Sequence, residues 1–168
     1  MALLALGPLP APAQLAPPGA GQSCPIAVAF EPLLVRSVVG VSNQYHAVVL
    51  IGGDAYEANP TGRFPDWGSL AGRRRDLRAR PLKDGTVQRV AGQRPQGCAA
   101  ALAQAARVTA ALNAARLPYA PAPELRWNAV NSNSYAWYLV SKLGLTPPAP
   151  PWPPAYGFVP GYNPAIQD

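Results

Sequence analysis

The stretch Asn131-Ser132-Asn133-Ser134-Tyr135-Ala136-Trp137 decides how this chain is read. Taken as helical over 131–143, it lines up Tyr135, Ala136, Leu139, Val140 and Leu143 behind Ser132 as one continuous apolar stripe. Ser132 starts that buried face, so its hydroxyl aims at whatever sheet the helix packs on. Ser134, Tyr138, Ser141 and Lys142 fall on the other side. Asparagine and serine are also favoured helix N-caps, so Asn131-Ser132-Asn133 has a plainer reading as a helix start.

Working outward, the chain's only histidine stands in Tyr45-His46-Ala47-Val48-Val49. Tyr45 to Ile51 is β-branched and apolar and runs into Gly52-Gly53-Asp54, which predicts a strand, a tight turn and a returning strand at 55–59. Alternation puts His46, Val48 and Leu50 on one face of the first strand, near its start. Glu57 and Asn59 share one face of the returning strand, next to His46, where either could hold the second ring nitrogen. A lone histidine on a strand also has a plain structural reading, as a satisfied or exposed residue.

These two motifs, in this order, carry a resemblance. A histidine at the head of a strand, a hairpin, and much later an Asn-Cys-Asn-Ser/Thr-Phe helix start resemble the circularly permuted papain-like proteins, which include permuted papain-fold peptidases and the lecithin retinol acyltransferase-like group. Tyr45-His46-Ala47-Val48-Val49 resembles the histidine strand, and Asn131-Ser132-Asn133-Ser134-Tyr135 the nucleophile helix. The similarity spans roughly 41–145 but rests on about a dozen positions. Serine stands where the family has cysteine. The resemblance implies a papain-like hydrolase or acyltransferase acting on an amide, ester or thioester, with Ser132 as nucleophile, His46 as general base, and Asn59 or Glu57 as orienting group.

The change of nucleophile alters the chemistry. A thiolate forms at neutral pH once a helix N-terminus and an imidazolium lower its pKa, whereas a serine must lose its proton to a positioned base during attack. Asn59 is the more family-like partner for that base, and Glu57 the more useful to a serine. Around Asn131, Asn133 and Ser134, the first helical N–H groups are candidate oxyanion donors. Trp127 and Tyr45 are candidate groove walls, although large aromatics such as Trp127 and Trp137 contribute packing area before recognition.

With 168 residues, 49% hydrophobic and 13% charged, the chain has the means to bury one core, while its 22 prolines and 15 glycines concentrate outside the motif-bearing middle. This divides it into a signal-like N-terminal segment over 1–23, an α+β domain over 24–146 and a proline-rich aromatic strap over 147–168. The first segment has an apolar run and Ala11-Pro12-Ala13 in small-x-small form but no basic start, so it points weakly to a periplasmic or secreted bacterial protein. No run approaches transmembrane length. In the last, Trp152, Tyr156, Phe158 and Tyr162 punctuate a polyproline-type run suited to wrapping the domain.

Cys24 and Cys98 are the only cysteines, an even count that suits one disulfide in an oxidising compartment. Free thiols are the alternative. Cys98 opens an alanine-rich helix predicted over 98–116, so it is also a rival nucleophile. Arg73, Arg74, Arg75, Arg78, Arg80, Lys83 and Arg89 supply most of the net charge of +6. With only Phe64 and Trp67 nearby and no nucleic-acid motif, the block reads as a solvated loop, or else as a patch for an anionic surface through Arg73, Arg74 and Arg75, not a nucleic-acid site. Residues 82–90 predict a hairpin around Asp84-Gly85. One histidine and scattered acids make no zinc site, and no cofactor motif is present.

The expected fold is therefore α+β: a small antiparallel sheet packed against two main helices, permuted papain-like. Three functions fit: a Ser-His hydrolase or acyltransferase; an inactive papain-like protein that binds a peptide, glycan or lipid; and a secreted interaction domain.

Overall fold

The Gly52-Gly53 turn joins two antiparallel strands, with Gly52 at φ +60°, a left-handed conformation that favours glycine. A Cβ at Gly52 would also lie 2.7 Å from Cys98 Sγ. The structure is a computed structural model describing residues 23–37, 40–63, 65–120 and 130–151. Its elements are β1 (Cys24–Ser37), β2 (Gly40–Ile51), β3 (Asp54–Pro60), β4 (Leu70–Arg75), β5 (Val87–Arg94), α1 (Gly97–Ala115) and α2 (Ser132–Lys142). The five strands form one antiparallel sheet in the order β4-β3-β2-β1-β5. With two helices against it, this is the small α+β fold expected.

Both helices cover one face. Val28, Phe30, Ala47, Val49, Ile51, Tyr56 and Ala58 from the strands meet Ala101, Ala105 and Leu112 of α1 and the α2 stripe in one core. The stripe is as predicted: Tyr135, Ala136, Leu139, Val140 and Leu143 are all fully buried. Each large apolar side chain there contributes about 1.5–3 kcal/mol. Ser134, expected on the outer side, is buried too, because it closes a capping box with Asn131.

Alanines let α1 approach β4 closely. The Asn113 side chain accepts from Gly72 N (2.7 Å) and donates to Gly72 O (2.9 Å), and a Cβ at Gly72 would press on the Tyr135 ring. The Cys24–Cys98 disulfide ties the start of β1 to the first turn of α1, so Cys98 is no nucleophile.

The second face carries a smaller cluster, Ala27, Ala29, Val48, Leu50 and Ala55, covered by Leu77 and Leu82 from the segment after β4. His46, Glu31 and Glu57 alternate onto this face, away from the helices. Val48 and Leu50 share that face with His46, as alternation placed them.

Other elements differ from the expected ones. β1 has no counterpart among the predicted elements, because Pro25, Glu31 and Pro32 interrupt its apolar pattern. The 82–90 hairpin is a turn in which Thr86 N donates to Lys83 O, followed by β5 alone, which widens the sheet at the β1 edge. The arginine block is a solvated loop only in part: Arg78, Arg80 and Lys83 lie exposed in the segment after β4, while Arg73, Arg74 and Arg75 lie in β4, paired along β3. Among the described residues no helix is long and apolar enough to cross a membrane. The segment over 1–22, Phe64, Trp127 and the strap from Trp152 onward lie outside the described residues.

Candidate functional site

The site forms where the β2–β3 ladder stops. β2 pairs with β3 only through Val49, Leu50 and Ile51, although β2 extends back to Gly40 and β3 onward to Pro60. Gly52 N donates to Pro25 O, so even-numbered β2 residues turn their backbone groups to β1 and odd-numbered ones to the β3 side. At Tyr45 and Ala47 those groups would face a gap.

Asn133 fills it. Its Oδ1 accepts from Ala47 N at 2.7 Å and its Nδ2 donates to Tyr45 O at 3.0 Å, so the side-chain amide replaces the missing stretch of strand. Asn131, the N-cap of α2, accepts from the N–H groups of Asn133 (2.9 Å) and Ser134 (3.1 Å), and its own N–H donates to Ser134 Oγ. These three residues position the helix against β2. The N–H groups of Asn133 and Ser134, expected as oxyanion donors, are taken by the cap; the first-turn donor that Asn131 does not take is Ser132 N–H.

Docking α2 this way brings Ser132 Oγ within 2.9 Å of His46 Nδ1. Ser132 is 6% and His46 8% exposed. On the far side of the ring, His46 Nε2 lies 3.4 Å from Glu57 Oε2, an ion-pair distance; Nε2 has no hydrogen-bond partner among the described residues. An anionic carboxylate there favours the tautomer protonated at Nε2, leaving Nδ1 to accept the serine proton. Of the two predicted orienting groups, Glu57 faces the histidine. Asn59 instead donates to Glu57 Oε1 at 3.3 Å.

Glu57 is fully buried yet anionic. Burial alone would raise its pKa, but the His46 ring 3.4 Å away, the Arg73 hydrogen bonds and the Arg80 charge outweigh it and bring it down to about 2. Arg73 donates through Nε (3.0 Å) and Nη2 (2.9 Å) to Oε1, and Arg80 through Nη2 (2.6 Å) to Oε2. Arg75, itself buried, forks onto Glu31 at 2.8 and 3.0 Å and reaches Glu57 Oε2 at 3.4 Å. Burial lowers the Arg75 pKa, but the Glu31 hydrogen bonds and charge and then Glu57 win, so it is raised and Arg75 stays charged. Arg74 pairs with Asp54 outside this network. Four arginines of the basic block are thus paired with carboxylates.

One site residue escaped sequence reasoning. Tyr119 follows α1 and is held by its N–H to Gly68 O (3.0 Å) and a bridge to Val130. Its hydroxyl is hydrogen-bonded to Ser132. Burial raises its pKa, more than the Ser132 hydrogen bond lowers it, so the phenol keeps its proton as a donor. Trp67 tilts against its ring at 6.2 Å. The only sequence cue was an aromatic between two prolines. Tyr45, a predicted groove wall, is half-buried against the main core, and its carbonyl anchors Asn133. Among the described residues no group of three or more His, Cys, Asp or Glu could hold a metal ion.

No protein-family model, no curated protein and no solved structure matches this chain.

Proposed function

We propose that the chain is a serine hydrolase or acyltransferase on a permuted papain-like frame, acting on an amide or ester. The observation that carries the reading is the Ser132 Oγ–His46 Nδ1 hydrogen bond of 2.9 Å at a helix N-terminus, with Glu57 on the other ring nitrogen. Ser132 Oγ attacks the acyl carbon as its proton passes to Nδ1, and the imidazolium so formed is stabilised by Glu57. Ser132 N–H and the Tyr119 hydroxyl are the donors for the oxyanion. His46 returns the proton to the leaving amine or alcohol, giving a Ser132 ester that water or an acceptor nucleophile then cleaves.

The chain order His46, Glu57, Ser132 agrees with the permuted arrangement, and the disulfide agrees with a periplasmic or secreted location. Turnover of a panel of esters, thioesters and amides by the parent, Ser132→Ala and Ser132→Cys tests the reading. Loss in Ser132→Ala with retention or a change of preference in Ser132→Cys is expected; equal rates in all three would end it.

A second reading rests on the 3.4 Å gap between His46 and Glu57 and on the near-complete burial of Ser132. Both suit a frame that binds a peptide, glycan or lipid without cleaving it. Ligand binding without turnover in the same panel would favour it.

A further inference from the structure

The His46–Glu57 separation is long for a base and its orienting acid, and the neighbours of Glu57 Oε2 account for it. Oε2 faces His46 Nε2 and Arg75 Nη1, each at 3.4 Å, and Arg80 Nη2 at 2.6 Å. Arg75 is committed to Glu31 by two shorter bonds, and Arg73 forks onto the other oxygen. Only Arg80 has its main hold on the oxygen that His46 needs.

We propose that Arg80 is a positioning residue acting through Glu57: its guanidinium draws Oε2 away from His46 Nε2 and so limits how strongly the carboxylate supports a protonated ring. The proposal extends the catalytic reading above, yet it concerns a charge balance present whether or not the site turns over.

The surroundings let this one cation be changed cleanly. Its side chain is half-exposed. The turn that bears it is held independently of that side chain, by Arg75 Nε on Arg80 O (2.9 Å), by Arg80 N on Asp76 O (2.9 Å), by Lys83 N on Glu31 Oε1 (3.1 Å), and by Leu77 and Leu82 against the sheet. The ionisable groups around the pair are Glu57 on β3, Glu31 as the cross-strand partner of His46 on β1, Arg73 and Arg75 on β4, Tyr135 on α2, and Tyr119 through Ser132. Replacing Arg80 removes one of the charges that lower the Glu57 pKa and leaves the other groups in place.

The chain's single histidine makes the test direct. The ring titration is followed by NMR on the folded parent, Arg80→Gln, Arg80→Lys and Arg74→Gln. The last removes the same formal charge from β4, where it is paired with Asp54 rather than Glu57. Arg80→Gln is expected to raise the histidine midpoint by about 0.5–1 pH unit, Arg80→Lys by less than half of that, and Arg74→Gln by under about 0.2. In turnover, where the base must be neutral, the acid limb of kcat/KM moves upward with the midpoint. Equal shifts in Arg80→Gln and Arg74→Gln, or no shift in Arg80→Gln, would overturn the proposal. A protein with no turnover in any form would defeat the hydrolase reading while leaving the titration to decide this one.

Discussion

Asn133 is expected to carry more stability than any other polar residue at the α2 N-terminus, because its amide stands in for a missing piece of β-ladder. In Asn133→Ala the Ala47 N–H and the Tyr45 carbonyl both lose a partner. Ala47 is fully buried, so its N–H has no route to water and costs about 2 kcal/mol; the carbonyl belongs to a half-buried residue and costs about 1 kcal/mol. The sum, about 3 kcal/mol, corresponds to a fall in Tm of about 6–12 °C for a chain of this size. Urea unfolding followed by circular dichroism measures the first number and calorimetry the second. Asn133→Asp, which keeps the acceptor for Ala47 N–H but turns a carboxylate toward the Tyr45 carbonyl, should be no more stable than Asn133→Ala at neutral pH. A cost below about 1 kcal/mol for Asn133→Ala would mean that the β2 edge is satisfied by other means, and the ladder-replacement argument would fail.

Three other outcomes follow from the same geometry. Glu57 titrates near 4.5 when unfolded and near 2 when folded, so its contribution is complete above about 4.5 and is lost as pH falls toward 2. Acid unfolding should therefore remove on the order of 3 kcal/mol over that window, with a flatter profile in Glu57→Gln. Reducing the Cys24–Cys98 bond, which spans 74 residues, should lower stability by about 4 kcal/mol in denaturant titrations, and an unchanged midpoint would contradict its role as a staple. Tyr119→Phe keeps the ring against Trp67 but deletes the hydroxyl on Ser132; kcat should fall by about 10²-fold with KM little changed, and an unaltered kcat would remove Tyr119 from the oxyanion site.

Local periodicity made much of this architecture legible. The α2 stripe, the Gly52-Gly53 turn and the disulfide each depend on short-range pattern or on cysteine count, and each appears where the residues placed it. What stayed hidden depends on partners distant in sequence. Glu31 and Pro32 make β1 look unlike a strand, because the reason for a buried glutamate is Arg75, 44 residues on. The arginine block looks solvated until β3 pairs with β4 and sets Arg73 opposite Glu57. His46 was placed on the right strand and on the face of Val48 and Leu50, but alternation cannot reveal that the β2–β3 ladder stops at Val49, which lets α2 reach across to it. Tyr119 had no local signature, and its place comes from its N–H bond to Gly68 O and its bridge to Val130. The choice between Asn59 and Glu57 turned on a carboxylate whose charge is maintained by arginines the sequence does not place.

The most direct test of the central claim, that His46 activates Ser132, is reaction of the purified protein with a fluorophosphonate, with the modified residue located by peptide mass spectrometry. The account predicts one adduct on Ser132, lost in Ser132→Ala and strongly slowed in His46→Ala and Glu57→Gln. Absence of any adduct on folded parent protein, or labelling of Ser132 at the same rate without His46, would contradict it.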